Sequence, residues 1–591
     1  MVGFMKIYDH MGANLSVKNG CAGVQFRVFA PRAQSVSVIG DFNQWTSTSH
    51  PMDKEGGTFS LFVPDLKEGD RYQYAIIAAD GRLLIKSDPY GKLFEKRPDQ
   101  KSLIADPDQY QFSDDEWMSG RENPKHRPLN VYEVHLGSWM RERGNFLNYR
   151  QLARRLSSYA KEMHYTHVEL LPVCEHPLDE SWGYQVTGFY APTSRFGTVE
   201  DFQYFVDHMH REGIGVLLDW VPGHFPIDDH ALSYFDGEPL FEKEDPIERL
   251  HPEWTTHVFD YSRKEVREFL IGSALYFFDK MHIDGIRVDA VTSMLYLDYG
   301  RKEGEWTPNK EGGKENLEAI AFLRELNESI HREFPDALVI AEDSSHFPGV
   351  TTPADQGGLG FDMKWNLGWM NDTLSFFRKN VSKRHLSVNK VHHTFSFAHN
   401  ENFLLPLSHD EVVHGKGSLI EKMPGNETEK FQSLRLLMSF KMCYPGKKLL
   451  FMGSEMAHFS EWDSSSELHW SLKHLNQNKT FQDFIKRLNA FYLENPPLWE
   501  KDFSKEGFEE IQPTDYTGST AAFYRYGGEK TLLCLHNFSD TAFTLDLPKG
   551  RDLKLLFCSN GEGPKVIGEL PGLTTLVYEV LGDKGRVSQA H

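Results

Sequence analysis

The chain has 591 residues, of which 40% are hydrophobic and 25% charged, and 64 Lys plus Arg stand against 85 Asp plus Glu for a net charge of -21. Such a length exceeds one ordinary core and predicts two to four domains, one of them large. The acidic balance argues against nucleic acid and anionic membrane as partners, since both reward a basic face, whereas an uncharged polymer is indifferent to it.

Cys21, Cys174, Cys443, Cys534 and Cys558 are odd in number and widely scattered, without the paired spacing of a zinc site. They predict buried free thiols in a reducing compartment. The N-terminal MVGFMKIYDH lacks a basic segment followed by an apolar one, and no run of about 18 apolar residues could span a bilayer. The expected location is cytoplasmic. Aromatic residues reach 13%, which fits a core and would also fit surfaces that stack on sugar rings.

In chain order, period-two alternation comes first, in VQFRVFA (24–30), SVSVIG (35–40), FSLFV (59–63) and YQYAII (72–77), separated by turn-rich segments. This predicts a β-sandwich over residues 1–112. Phe42 and Trp45 of GDFNQW, in this region, either face a ligand or fill the sandwich core.

After a polar, Pro-containing connector at 113–128 the rhythm changes. Eight β-type runs follow: 131–138, 167–173, 215–222, 285–291, 337–343, 360–365, 404–410 and 448–455. Amphipathic helical patterns occupy 149–164, 199–213, 264–282 and 316–334, with Thr198 before Asp201 and Ser262 before Glu265 as hydroxyl caps. Eight such units predict a closed parallel (β/α)8 TIM barrel within residues 113–495. A last helical pattern at 481–496 precedes renewed alternation at 521–527, 531–539, 541–547 and 574–581. An all-β domain is expected over 496–591, ending in a frayed tail from 582.

Several barrel runs end on acids: Asp219, Asp289, Glu342 and Asp410. A barrel gathers such residues at the C-terminal rim of its strands. Arg287 and Asp289 share a face of an extended segment, so the guanidinium should hold Asp289 ionised, as a nucleophile requires. Glu342 ends a run without a base, and desolvation without a cation would keep its proton on, as a general acid requires. One ionised and one protonated carboxyl are what retaining cleavage of a glycosidic bond needs. Asp410 beside His409 would then steady the oxocarbenium-like transition state. Strand-end acids also serve as helix caps and salt-bridge partners, and Asp343 competes with Glu342 for the acid role on these grounds alone.

HDEVVH (409–414) spaces its histidines five apart, against four in a metalloprotease helix, and the GKGS of 415–418 lacks the earlier glycine of a phosphate loop. No metal site is expected.

Taken together, YEVHLGSW (132–139), SWGYQVTGFYAPTSRFGT (181–198), DWVPGHF (219–225), GIRVDAV (285–291), IAEDSSHFPGV (340–350), GGLGFDMKWNLGWM (357–370) and LSHDEVVHGK (407–416) resemble the α-amylase superfamily. Within it they resemble most the 1,4-α-glucan (glycogen) branching enzymes. The resemblance spans nearly the whole chain. GDFNQW resembles the glycogen-binding module that precedes the barrel in that family.

The resemblance implies a hexosyltransferase that cuts an internal α-1,4 bond with retention and moves the chain to a glucan 6-hydroxyl, making α-1,6 branches. It implies Asp289 as nucleophile, Glu342 rather than Asp343 as acid/base, and Asp410 as transition-state stabiliser. Arg287 would orient Asp289, Tyr184 would pack on the transferred sugar, His224 and His409 would bind its hydroxyls, and Asp219 would support the site. It implies no cofactor and no metal, an α-glucan polymer such as amylose or glycogen as partner, no nucleic acid or membrane partner, and a monomer. A hydrolase of the same superfamily, trehalose-releasing or debranching, would share the three acids, and a non-catalytic glycan-binding scaffold is the remaining alternative. Two departures stand out: too few residues precede position 14 for the further N-terminal β module of many relatives, and Ser454 stands where an Asn is expected.

Overall fold

A computed structural model describes residues 6–511, 519–544, 552–561, 563–564, 566 and 568–582. The tail expected to fray, beyond Gly582, and residues 545–547 of the strand expected at 541–547 lie outside the described residues.

The N-terminal alternation makes strands because every second side chain has a core to enter: Val24, Phe26 and Val28 are buried on the strand Cys21–Phe29. That strand lies between Gly12–Lys18 and Thr58–Pro64, with Asp53–Glu55 on the far edge. A second antiparallel sheet is built on Ser35–Gly40 and Arg71–Ile77. Phe42 and Trp45 do not fill the core. Both are partly exposed, and the Trp45 indole N–H donates to Asp41 at 3.1 Å.

All eight expected runs contribute to one closed barrel of parallel strands: β1 (Asn130–Val134), β2 (His167–Leu170), β3 (Gly215–Trp220), β4 (Gly285–Val288), β5 (Leu338–Ala341), β6 (Met363–Trp365), β7 (Phe403–Leu407) and β8 (Lys447–Phe451). Their order in space follows their order in the chain, as in a (β/α)8 barrel. Most strands are shorter than expected at their C-terminal ends, so Asp289, Glu342 and Asp410 fall just past the strands, whereas Asp219 lies within β3. At the start of β4, a Cβ on Gly285 would come within 2.4 Å of the Leu338 carbonyl oxygen, so only glycine permits this approach to β5.

The helices that cross between strands are α1 (Tyr149–Glu162), α2 (Val199–Arg211), α3 (Lys264–Met281), the short α4 (Val291–Leu295), α5 (Leu317–Glu333), α6 (Leu367–Phe377) and α7 (Glu427–Cys443), with α8 (Asn476–Glu494) after β8. α2 starts as expected, with a capping box in which Thr198 accepts from the Asp201 amide and Asp201 accepts from the Thr198 amide. Ser262 is not the cap of α3. The residue before that helix is Arg263, and the Ser262 hydroxyl donates to Asp260 at 2.6 Å. Nor is α3 amphipathic. It is buried on most of its circumference because it packs against α2, α5 and the strand Gly188–Pro192.

The chain packs as two compact units, Met1–Arg121 with Arg141–Arg155 and Leu170–Glu342, and Glu122–Met140 with Leu156–Glu169 and Asp343–His591. In the first, β3, β4 and β5 pair in parallel, with Asp219 opposite Arg287 and Arg287 opposite Ile340. In the second, β6, β7, β8 and β1 pair in that order. The second unit also holds a five-stranded antiparallel sheet that includes the expected Thr520–Gly527, Lys530–Asn537 and Thr574–Leu581. Two of its strands, Phe508–Ile511 and Asp552–Cys558, were not expected from the sequence.

Cys174, Cys443, Cys534 and Cys558 are buried, but Cys21 is exposed, against the expectation of burial throughout. Among the described residues no helix is long and apolar enough to cross a membrane.

Candidate active site

In the first unit the site is built around Arg287. Because Asp219 and Arg287 are register partners on β3 and β4, the guanidinium meets the carboxylate across one strand spacing, with Nη1 at 2.7 and 2.8 Å from the two Asp219 oxygens. The same Nη1 lies 2.6 Å from Asp289 Oδ1, and Nη2 is 3.9 Å from Glu342 Oε2. Burial alone would lower the Arg287 pKa. The charges of Asp219, Asp289 and Glu342 outweigh it and hold the guanidinium well above its ordinary value.

Past the end of β4 the backbone changes hand. Asp289 still donates its amide to the Trp220 carbonyl, but Ala290 has φ of 51°, a left-handed conformation unusual for a residue with a Cβ. This turn aims the Ala290 N–H at Glu342 Oε2, 2.8 Å away, and the Val291 N–H at the Glu342 carbonyl, 2.9 Å away. It also starts α4. Asp289 and Glu342 therefore come from adjacent strand ends and flank one arginine.

The expectation that Glu342 stands without a cation is corrected by this geometry. Its own strand has no base, but β4 brings Arg287 alongside. Asp343, the rival for the acid role, points elsewhere: its carboxylate is buried against Lys364 Nζ at 2.8 Å and accepts the Ser345 N–H at 3.0 Å. The Glu342 side chain is 20% exposed.

Tyr184 follows Trp182 and Gly183, both at positive φ, and its hydroxyl donates to Asp219. His224 lies on the short strand His224–Phe225, paired with His257–Val258. Burial, and secondarily His251, lower its pKa to about 3, so the ring is neutral, and its Nδ1 has no hydrogen-bond partner among the described residues. A neutral imidazole with a vacant nitrogen is suited to bind a hydroxyl.

In the second unit, His409 and Asp410 follow β7 directly. His409 is buried, its Nδ1 lies 2.5 Å from Glu133 Oε1, and its backbone N–H donates to Glu133 Oε2 at 3.0 Å. Its Nε2 is 3.5 Å from Asp410 Oδ1, and the Asp410 side chain is 52% exposed. Glu133, near the end of β1, thus fixes His409, a role that sequence reasoning did not assign. The available signal was an acid set between Tyr132 and Val134 in a β-type run. Among the described residues no group of three or more His, Cys, Asp or Glu side chains is placed to hold a metal ion.

Residues 10–91 match the family carbohydrate-binding module 48 (isoamylase N-terminal domain), and residues 152–238 match the family alpha amylase, catalytic domain. The chain is 52% identical over 543 residues to the 1,4-alpha-glucan branching enzyme GlgB of Chlamydia pneumoniae, covering 91% of this chain and 75% of that protein. To its counterpart in Chlamydia caviae it is 49% identical over 603 residues, covering 97% and 84%. The pullulanase from Bacillus acidopullulyticus superposes with a TM-score of 0.75 at 17% identity, over 97% of this chain and 75% of that one, which bears on the fold alone.

Proposed function

The chain belongs to the 1,4-alpha-glucan branching enzyme family, and from that premise we propose that it cleaves an internal α-1,4 bond of a glucan and transfers the released chain to a 6-hydroxyl, forming α-1,6 branches. The observation that carries the reading is the sustained similarity to branching enzymes along the chain.

In this reading Asp289 attacks the anomeric carbon and Glu342 gives its proton to the departing oxygen. The C6 oxygen of an acceptor then bonds to that carbon as the Asp289 ester breaks, and its proton passes to Glu342. Two inversions give net retention. Arg287 holds Asp289 in the attacking position and keeps it anionic, and the 2.6 Å contact supports that role. Asp219 holds Arg287. Tyr184, bonded to Asp219, packs on the sugar being transferred, and the neutral His224 takes one of its hydroxyls. Asp410 steadies the transition state, and His409 binds a hydroxyl in an orientation set by Glu133.

We further assign residues 1–112 as a glucan-binding sandwich, 113–495 as the catalytic barrel and 496–591 as a closing β domain. The match of residues 10–91 to carbohydrate-binding module 48 supports the first. The partner is an α-glucan polymer, amylose or glycogen, acted on by a monomer in the cytoplasm.

The test is to incubate the purified chain with linear amylose and count reducing ends before and after a debranching enzyme is added. Flat ends that jump on debranching are expected. Ends that rise in the first incubation without a later jump would make the protein a hydrolase.

A further inference from the structure

Tyr184 lies in the loop 176–187, which rises between two short antiparallel strands, Cys174–Glu175 and Gly188–Pro192, with Glu175 opposite Gly188. At the root of this loop the Glu175 carbonyl accepts the Thr187 N–H at 2.9 Å. The buried Glu175 carboxylate accepts from Arg195 Nη1 at 2.7 Å, the Ser194 N–H at 2.8 Å and the Thr193 hydroxyl at 3.1 Å. Gly188 leaves room for the ring of Phe94, because a Cβ there would come within 2.5 Å of Phe94 Cε2. Phe94 belongs to Leu93–Phe94, the edge strand of the second N-terminal sheet, which is therefore seated against the root of the loop.

Further along the same segment, Arg97 reaches the loop itself. Its Nη1 donates to the Pro177 carbonyl at 3.1 Å and its Nη2 to Asp179 Oδ2 at 2.5 Å. Arg195, already fixed on Glu175, donates through Nε to the other oxygen, Asp179 Oδ1, at 2.7 Å. Two guanidiniums thus hold one carboxylate from two sides. Burial would raise the Asp179 pKa, but the hydrogen bonds from Arg195 and Arg97 outweigh it and hold the carboxyl below its ordinary value.

Asp179 opens the single turn Asp179–Ser181, and Tyr184 hangs from that turn. The Trp182 N–H donates to the Asp179 carbonyl at 3.0 Å and the Tyr184 N–H to the Ser181 carbonyl at 2.9 Å. Between them the backbone is left-handed, with φ of 55° at Trp182 and 95° at Gly183, and a Cβ on Gly183 would come within 2.1 Å of the Pro172 carbonyl oxygen. At its far end the Tyr184 hydroxyl donates to Asp219. A phenol tethered by its hydroxyl alone can still swing with its backbone, whereas fixing the backbone as well leaves one ring position.

We propose that Arg97 and Arg195 are positioning residues that clamp Asp179 and so set the Tyr184 ring against the transferred sugar, which makes the N-terminal sheet carrying Arg97 a participant in the reaction through Tyr184. The inference rests on the place given to Tyr184 in the branching reading.

Arg97 is the residue to test. Its side chain is 36% exposed and that of Asp179 42%, so the pair contributes little to folding. Arg195 is 7% exposed and also serves Glu175, so its removal would disturb stability as well.

The experiment measures initial rates of amylose bond cleavage, with thermal melts alongside, for the full-length unmutated chain, Arg97→Ala, Arg97→Lys, Tyr184→Ala and the double variant. Arg97→Ala is expected to lower kcat/KM about three- to tenfold, within the roughly hundredfold that a misplaced positioning group can cost, and to melt as the unmutated chain does. Arg97→Lys, which keeps a cation for Asp179, is expected to recover most of the loss. Where Tyr184→Ala is already present, Arg97→Ala is expected to lower the rate no further, because the group it positions is gone. An equal loss in both backgrounds, or a folded Arg97→Ala at the unmutated rate, overturns the proposal. If Arg97→Ala does not fold, Asp179→Asn, which weakens the same clamp, decides in the same two backgrounds. Failure of the branching reading shows separately, as absence of branches from the unmutated chain after debranching.

Discussion

Asp219 and Arg287 occupy partner positions on neighbouring strands, and both side chains are 1% exposed. A charge pair buried this completely contributes little when whole and costs much when broken, because the survivor is left desolvated. Arg287→Ala, which strands Asp219, should lower the unfolding free energy by about 3–5 kcal/mol as well as remove activity. Asp219→Asn keeps an acceptor oxygen for Arg287 and should cost less. A urea midpoint for Arg287→Ala equal to that of the unmutated chain would refute this account.

Glu342 and Asp343 are adjacent in sequence and opposite in expected effect. Glu342→Gln keeps size and partial exposure but has no proton to give, so bond cleavage should fall by about 10²–10⁴ with the melt little changed. Asp343→Asn leaves Lys364 buried without its anion and should cost stability, about 3–5 kcal/mol, while folded protein still cleaves. Amylose cleavage and thermal melting measured on both variants separate the two. The reverse pattern would move the acid role to Asp343.

Asp410 stands in a more exposed setting than these acids. Because its side chain is 52% exposed, Asp410→Asn should shift stability by no more than about 0.5 kcal/mol and yet abolish most bond cleavage. A variant that melts normally and still cleaves at the unmutated rate would remove Asp410 from the mechanism.

His210 predicts a pH dependence of stability. Its ring nitrogens lie 2.8 Å from Asp114 and 2.9 Å from Asp284. Burial opposes the charged ring, but the two carboxylates outweigh it and raise the pKa from 6.5 to about 9. A raised folded pKa means stability that is fully present below pH 6.5 and lost as pH rises through about 9. The contribution is on the order of 3 kcal/mol. Thermal midpoints of the unmutated chain should fall more steeply between pH 6.5 and 9 than those of His210→Gln, and parallel curves would contradict the assignment.

The barrel was legible because each of its strands is a short apolar β-type run, and the runs recur at spacings that leave room for a crossover. Strand ends were less legible. The apolar pattern continues through Asp289, whereas the left-handed backbone at Ala290 that ends the run has no counterpart in hydrophobicity. Helix α7 escaped notice because it is buried on several faces, so its sequence shows no single apolar stripe. At the site, the Arg287–Asp289 relation was readable because the two residues stand two apart in one extended run that continues a residue past β4. The cation near Glu342 and the Glu133 partner of His409 required the arrangement of separate strands, which no local pattern encodes.

Closure of the barrel through β1 and β8, with Asn130 opposite Lys448 and Glu133 opposite Phe451, has a consequence for biosynthesis. Translation runs from β1 to β8 in order, so β1 leaves the ribosome roughly 320 residues before the strand that covers one of its edges, a delay on the order of 15–60 s. During that time its unpaired N–H and C=O groups and the apolar residues Val131, Tyr132 and Val134 form an open template for foreign strands. The nascent chain should therefore be most prone to aggregation, and most dependent on chaperones, until Phe451 has been made, and chains terminated before β8 should accumulate as insoluble material.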